Sequence, residues 1–101
     1  MTLEEFSKYV IDNMTRATVG NALNISLRIN GSGYQFVDFI KGVETYIADC
    51  IVKNKLTKDK CYGIFYICNK YLKQYNSTFN YNKEYIINDF IIDLWRILNG
   101  N

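Results

Sequence analysis

Leu23-Asn24-Ile25-Ser26-Leu27-Arg28-Ile29 alternates apolar and polar side chains at every step, which is the period of a strand with one buried face. A strand or hairpin at 22–30 would make the fold α with a β element. It would also need a neighbour for its backbone groups. That neighbour would be a second strand after Asn30-Gly31, a short extended return elsewhere, or the same strand of another subunit. The rival reading is a short helix from Thr18 to Ile29. It would make the chain helical throughout.

On both sides of this stretch the spacing is helical. Thr2 and Glu5 form a capping-box pattern, and Leu3, Phe6, Val10, Met14 and Ala17 recur on one face, predicting a helix over 3–16. Asn30-Gly31-Ser32-Gly33 breaks the chain. Ser32 with Gln35 then opens a long helix over 33–53, striped by Phe36, Phe39, Ile40, Val43, Tyr46, Ile47, Cys50 and Ile51. Thr57 can cap a helix over 58–75, with Asp59 in its first turn and Cys61, Ile64, Phe65, Cys68, Tyr71, Leu72 and Tyr75 inward. Asn82 can cap the last helix, 83–98, which Gly100 stops. The expected architecture is a mainly α, single-domain bundle of about four helices.

Composition narrows the chemistry. The 101 residues include nine tyrosines, six phenylalanines and one tryptophan, but no histidine and no proline. Without histidine, the usual acid–base catalyst near neutral pH and the commonest metal ligand are both missing. Cys61 and Cys68 lie seven apart on one helical stripe, which is no zinc spacing. The segment Asn30-Gly31-Ser32-Gly33 lacks the lysine and spacing of a phosphate loop. The pairs Glu4–Glu5 and Asp89–Asp93 read as solvated faces. We therefore expect no enzyme, no cofactor and no metal site. Cys50, Cys61 and Cys68 are odd in number and fall on core stripes, so they read as reduced core residues. No apolar run reaches membrane-spanning length, and Glu4 and Glu5 stand where a signal peptide would be basic. The expectation is a cytoplasmic protein without a membrane partner. The wealth of Asn, Lys, Ile and Tyr fits an AT-rich coding sequence, as in a bacterium or a mobile element.

Charge is uneven. Residues 1–50 sum to −2 and residues 51–101 to +4, with lysines gathered at Lys53, Lys55, Lys58 and Lys60 and again at Lys70 and Lys73. On the 58–75 helix Tyr62, Tyr66, Asn69 and Lys73 project together, away from the core stripe, with Lys70 beside them. On the last helix Tyr85, Ile92 and Trp95 fall outside the main apolar face. That makes the helix either central or bordered by an interface, and a homodimer or partner face fits there. Tyrosines framed by lysines anchor protein interfaces or stack on bases. The leading expectation is a small interaction protein that sterically caps a toxin, nuclease or larger enzyme subunit, as an immunity or inhibitor protein or an accessory subunit does. The alternative is a nucleic-acid-binding module, helix-turn-helix-like or a single-strand binder. It would use Lys53, Lys55, Lys58, Lys60, Lys70 and Lys73 on phosphates, with Tyr62 and Tyr66 against bases.

Overall fold

The computed structural model describes residues 2–15, 18–31, 33–77 and 83–100. They form five helices: α1 (Leu3–Met14), α2 (Val19–Gly31), α3 (Phe36–Val52), α4 (Lys58–Ser77) and α5 (Lys83–Asn99). The helix beyond the expected four is α2, which takes in the alternating stretch, so 22–30 is neither a strand nor a hairpin. The reason lies in which residues the core takes. Ala22, Ile25 and Ile29 are buried with Ser26, a spacing of three and four that only a helix puts on one face. Leu23 and Leu27, whose places in the alternation imitated a strand face, point outward. The Thr18 hydroxyl accepts from the Asn21 N–H at 3.2 Å and starts the first turn.

The other boundaries shift by a few residues. At α1 the capping box forms as the sequence implies: the Thr2 Oγ1 accepts from the Glu5 N–H at 3.1 Å, and the Thr2 N–H donates to the Glu5 carboxylate at 3.3 Å. The helix stops at Met14 rather than residue 16. The third helix starts at Phe36 rather than at 33, because Gly33 holds φ +82°, a left-handed conformation that glycine alone adopts without strain. Gln35 is itself the N-cap and makes no side-chain capping bond, so it is not the third residue of a box; Ser32 lies outside the described residues. The α4 helix runs two residues past Tyr75, to Ser77, and α5 ends at Asn99, where the Gly100 N–H closes on the Arg96 carbonyl at 2.6 Å. Asn82 lies outside the described residues.

In space α1 packs on α3, α3 on α4, α4 on α5, and α5 on both α1 and α2. Four helices thus close a ring, and α2 lies on the outside of α5. The core runs through all five. Phe90 of α5 is its hub, with the rings of Phe36, Phe39 and Tyr71 edge-on at 5.7, 6.3 and 5.9 Å between centroids, the arrangement that aromatic quadrupoles favour. Small residues set the close crossings. A Cβ on Gly42 of α3 would fall into the Ser7 hydroxyl of α1, with the Ser7 Cβ at 3.2 Å, and one on Gly63 of α4 would touch Ile97 of α5 at 3.4 Å. Polar ties complete the ring. The Asn99 amide donates to the Met14 carbonyl of α1 at 2.6 Å, and the Lys60 ammonium donates to the Leu98 carbonyl at the end of α5 at 3.1 Å.

Candidate interaction surface

The turn into α4 is tight. Asn54 takes φ 55°, the Lys55 N–H reaches back to the Cys50 carbonyl at 2.9 Å, and the Asn54 N–H reaches the Ile51 carbonyl at 3.2 Å. This left-handed ending of α3 satisfies its last carbonyls. After it, the Thr57 hydroxyl caps α4 by accepting from the Lys60 N–H at 3.3 Å, as the sequence implies. The capped helix turns Cys61, Ile64, Ile67, Cys68 and Tyr71 inward. Its opposite face stays open, with Tyr62 61% and Tyr66 67% exposed and Asn69, Lys70 and Lys73 exposed beside them. No other described element covers these tyrosines.

The lysines divide according to what already holds them. Lys53 pairs with Asp49 at 3.1 Å, and Lys55 folds over the Tyr46 ring, 5.8 Å from its centroid. Lys60 is committed to the end of α5. Of the six, Lys58, Lys70 and Lys73 remain exposed on α4 itself, with Lys70 Nζ 5.0 Å from the Tyr71 ring centroid. Lys58, Tyr62, Tyr66, Asn69 and Lys73 follow one another at steps of three or four residues. They form a stripe about 22 Å long at a rise of about 1.5 Å per residue.

The residues singled out on α5 sit elsewhere. The Ser26 hydroxyl of α2 bonds the Asn88 side chain of α5, while the Asn99 amide holds the Met14 carbonyl at the end of α1, the helix that precedes α2, so α2 runs against the direction of α5. Ile92 and Trp95 are half-buried on either side of Asn88, and Trp95 packs against the core. The helix is therefore central, and much of its second seam is covered from within the chain. Tyr85, 67% exposed, is the outermost of the three. Leu27 (66% exposed) and Leu23 (38%) of α2 stand beside this seam, and the strand reading hid them. At about 100° per residue both lie beyond Ser26, on the side away from Ile25 and Ile29, an outward placement that the helix reading of Thr18–Ile29 contains.

Other polar groups satisfy one another. The Tyr71 hydroxyl donates to Asp93, which also meets Arg96 at 3.5 Å, so Asp93 is not on a solvated face. The Tyr46 hydroxyl donates to Asp12 at 2.7 Å. Tyr46 also lines a groove of about 360 Å³ between α1 and α3, with Lys8, Asp49 and Lys55 among others. All three cysteines are buried and unbridged. Burial pushes the thiols of Cys50, Cys61 and Cys68 up from their ordinary range, which keeps them protonated and unreactive near neutral pH. Among the described residues no three His, Cys, Asp or Glu side chains gather as a metal site, and no helix is long and apolar enough to cross a membrane.

No protein family, curated protein or solved structure matches the chain. What its surface can do follows from the side chains alone. The α4 stripe offers flat, amphipathic rings with hydroxyl tips, framed by three exposed cations and a single carboxylate, Asp59, a combination suited to a flat, acidic counter-surface.

Proposed function

We propose that this chain is a non-catalytic interaction protein that lays the outer face of α4 on an acidic surface of a partner protein and blocks or buttresses that surface. Such a role suits an immunity or inhibitor protein, or an accessory subunit, encoded by a bacterium or a mobile element. The observation that carries the reading is the exposure of Tyr62 and Tyr66 on one helical stripe with Lys58, Lys70 and Lys73. Two large rings left in water on a chain that buries the rings of Phe36, Phe39, Tyr71 and Phe90 are contact residues by economy. Tyrosine adds area at little conformational cost, and lysines steer an acidic partner. The inhibited partner would be a toxin, a nuclease or a larger enzyme.

The test is capture from the native host with the wild-type chain, the Tyr62→Ala/Tyr66→Ala variant and the Lys70→Glu/Lys73→Glu variant. One captured protein should be lost with both variants while their melting temperatures stay within about 2 °C of wild type, since exposed substitutions cost little. A partner retained by both variants defeats the reading. The same stripe supports a second one, in which bases of a single strand stack on Tyr62 and Tyr66 with lysines on phosphates. Anisotropy titration of a labelled oligonucleotide separates them. Single-strand binding falls steeply with salt, with a log–log slope of about −2 for three phosphate contacts, and the protein-docking reading expects no such binding.

A further inference from the structure

A second surface, on the other side of α5, carries a different chemistry. Leu23 and Leu27 of α2 and Tyr85 and Ile92 of α5 line the outer edge of the antiparallel pair that the Ser26–Asn88 bond holds together. Measured around α5 at about 100° per residue, Tyr85, Ile92, Asp89 and Arg96 fall within about 60° of one another. They lie on the arc between Asn88, which faces α2, and Asp93 and Ile97, which face α4. Lys83, the lysine of α5, is folded over the Tyr75 ring at 4.4 Å and adds no charge to this side.

The order of these residues is self-complementary. When two α5 helices cross antiparallel with Ile92 at the two-fold axis, Asp89 of one stands against Arg96 of the other, and the same contact repeats on the far side of the axis. The two residues are about 4.5 and 6 Å from Ile92 along the helix, on opposite sides of it, so the register fits. Arg96 is extended into solvent, its side chain 69% exposed, and its bond to Asp93 within the helix is a long one at 3.5 Å. Leu23 and Leu27 then flank the Ile92 contact from α2 and complete an apolar strip. The α4 stripe behaves in the opposite way, because two copies of it would bring lysines against lysines.

We infer that the α2–α5 face docks a second copy of this chain in a two-fold dimer with Ile92 at the axis and Asp89 paired with Arg96 across it. Isologous two-fold dimers are the commonest oligomers of soluble proteins, and this one leaves both α4 stripes outward.

The test is sedimentation and light scattering of the full chain at about 100 μM. Wild type should run at twice the 11.9 kDa chain mass. Leu27→Asp, at an exposed position, should return it to one chain mass with the helical circular dichroism retained. Asp89→Arg and Arg96→Asp should each raise the dimer dissociation constant about tenfold, since the repulsion they create occurs twice, and the double variant should restore it. A monomeric wild type overturns the inference, even if another protein covers the face. So do single charge reversals without effect, or a dimer abolished by Tyr62→Ala/Tyr66→Ala. A dimer broken by Asp89→Arg that still captures the α4 partner separates this face from the proposed function.

Discussion

At Gly42 a single hydrogen in place of a side chain decides how closely α1 and α3 approach. The Ser7 hydroxyl, itself fully buried and donating to the Leu3 carbonyl at 2.9 Å, occupies the volume a Cβ would need. Gly42→Ala should cost about 1–3 kcal/mol, the usual penalty for overpacking a closed core, despite alanine's better helix propensity. Adding Ser7→Ala removes the obstructing oxygen and should recover part of that loss, although the Ser7 Cβ stays near. Chemical denaturation of the two single variants and the double variant measures the coupling directly. Additive losses would show that the two residues do not share that space. The Ser26–Asn88 bond matters for a different reason: it satisfies a polar atom that α2 buries completely, where an unpaired group would be costly.

Among the elements, α2 is the least self-sufficient. It contains Gly20, Asn21, Asn24 and Asn30, all poor helix formers, and its main neighbour is α5, with Arg28 reaching Tyr9 of α1 besides. A peptide spanning 18–31 should therefore show almost no helical circular dichroism, because short helices of weak propensity do not hold in water. In the intact protein, native-state hydrogen exchange should find the amides of α2 opening at lower free energy than those of α5. Equal protection across the two helices would mean that α2 opens only with the whole bundle. The same weakness explains what sequence reading could and could not see. Around Thr2 and Thr57 the local chemistry agrees with the fold, so caps and stripes were legible to within a residue or two. In Leu23–Ile29 the apolar residues satisfy two periods at once. Only the choice of Ile25 and Ile29 with Ala22, against Leu23 and Leu27, separates them, and that choice is made by α5 from across the bundle. Tyr62 and Tyr66 were legible as outward residues because no competing period applied there. The Leu23–Leu27 edge was not, because it depends on which helix stands beside α2.

Over the whole molecule, buried groups with raised proton affinity all act in the same direction with pH. Burial lifts the thiols of Cys50, Cys61 and Cys68. It likewise lifts the phenols of Tyr46 and Tyr71, together with their bonds to Asp12 and Asp93. Each group holds its proton more tightly folded than unfolded. Its contribution is therefore complete below the unfolded value and is lost as pH rises past it. Thermal stability should be level around pH 7, decline from about pH 8.5 as unfolded thiols ionise, and fall more steeply beyond about pH 10 as unfolded tyrosines do. Melting curves between pH 7 and pH 10.5 test this. Tyr71→Phe should flatten the steeper part, and stability rising with pH across that range would contradict the assignment.

The position of Phe90 has a consequence for how the protein is made. The ring that Phe36, Phe39 and Tyr71 close upon belongs to α5, which is translated after the four helices it organises. Until α5 emerges, α1, α3 and α4 have only one another to pack on, and α2 lacks its main neighbour. The nascent chain must carry the inner face of α2 and the rings that meet Phe90 without that cover, a state prone to aggregate. Folding is thus tied to the last fifth of the described chain, and a ribosome stalled before residue 83 would hold a chain that still lacks its hub.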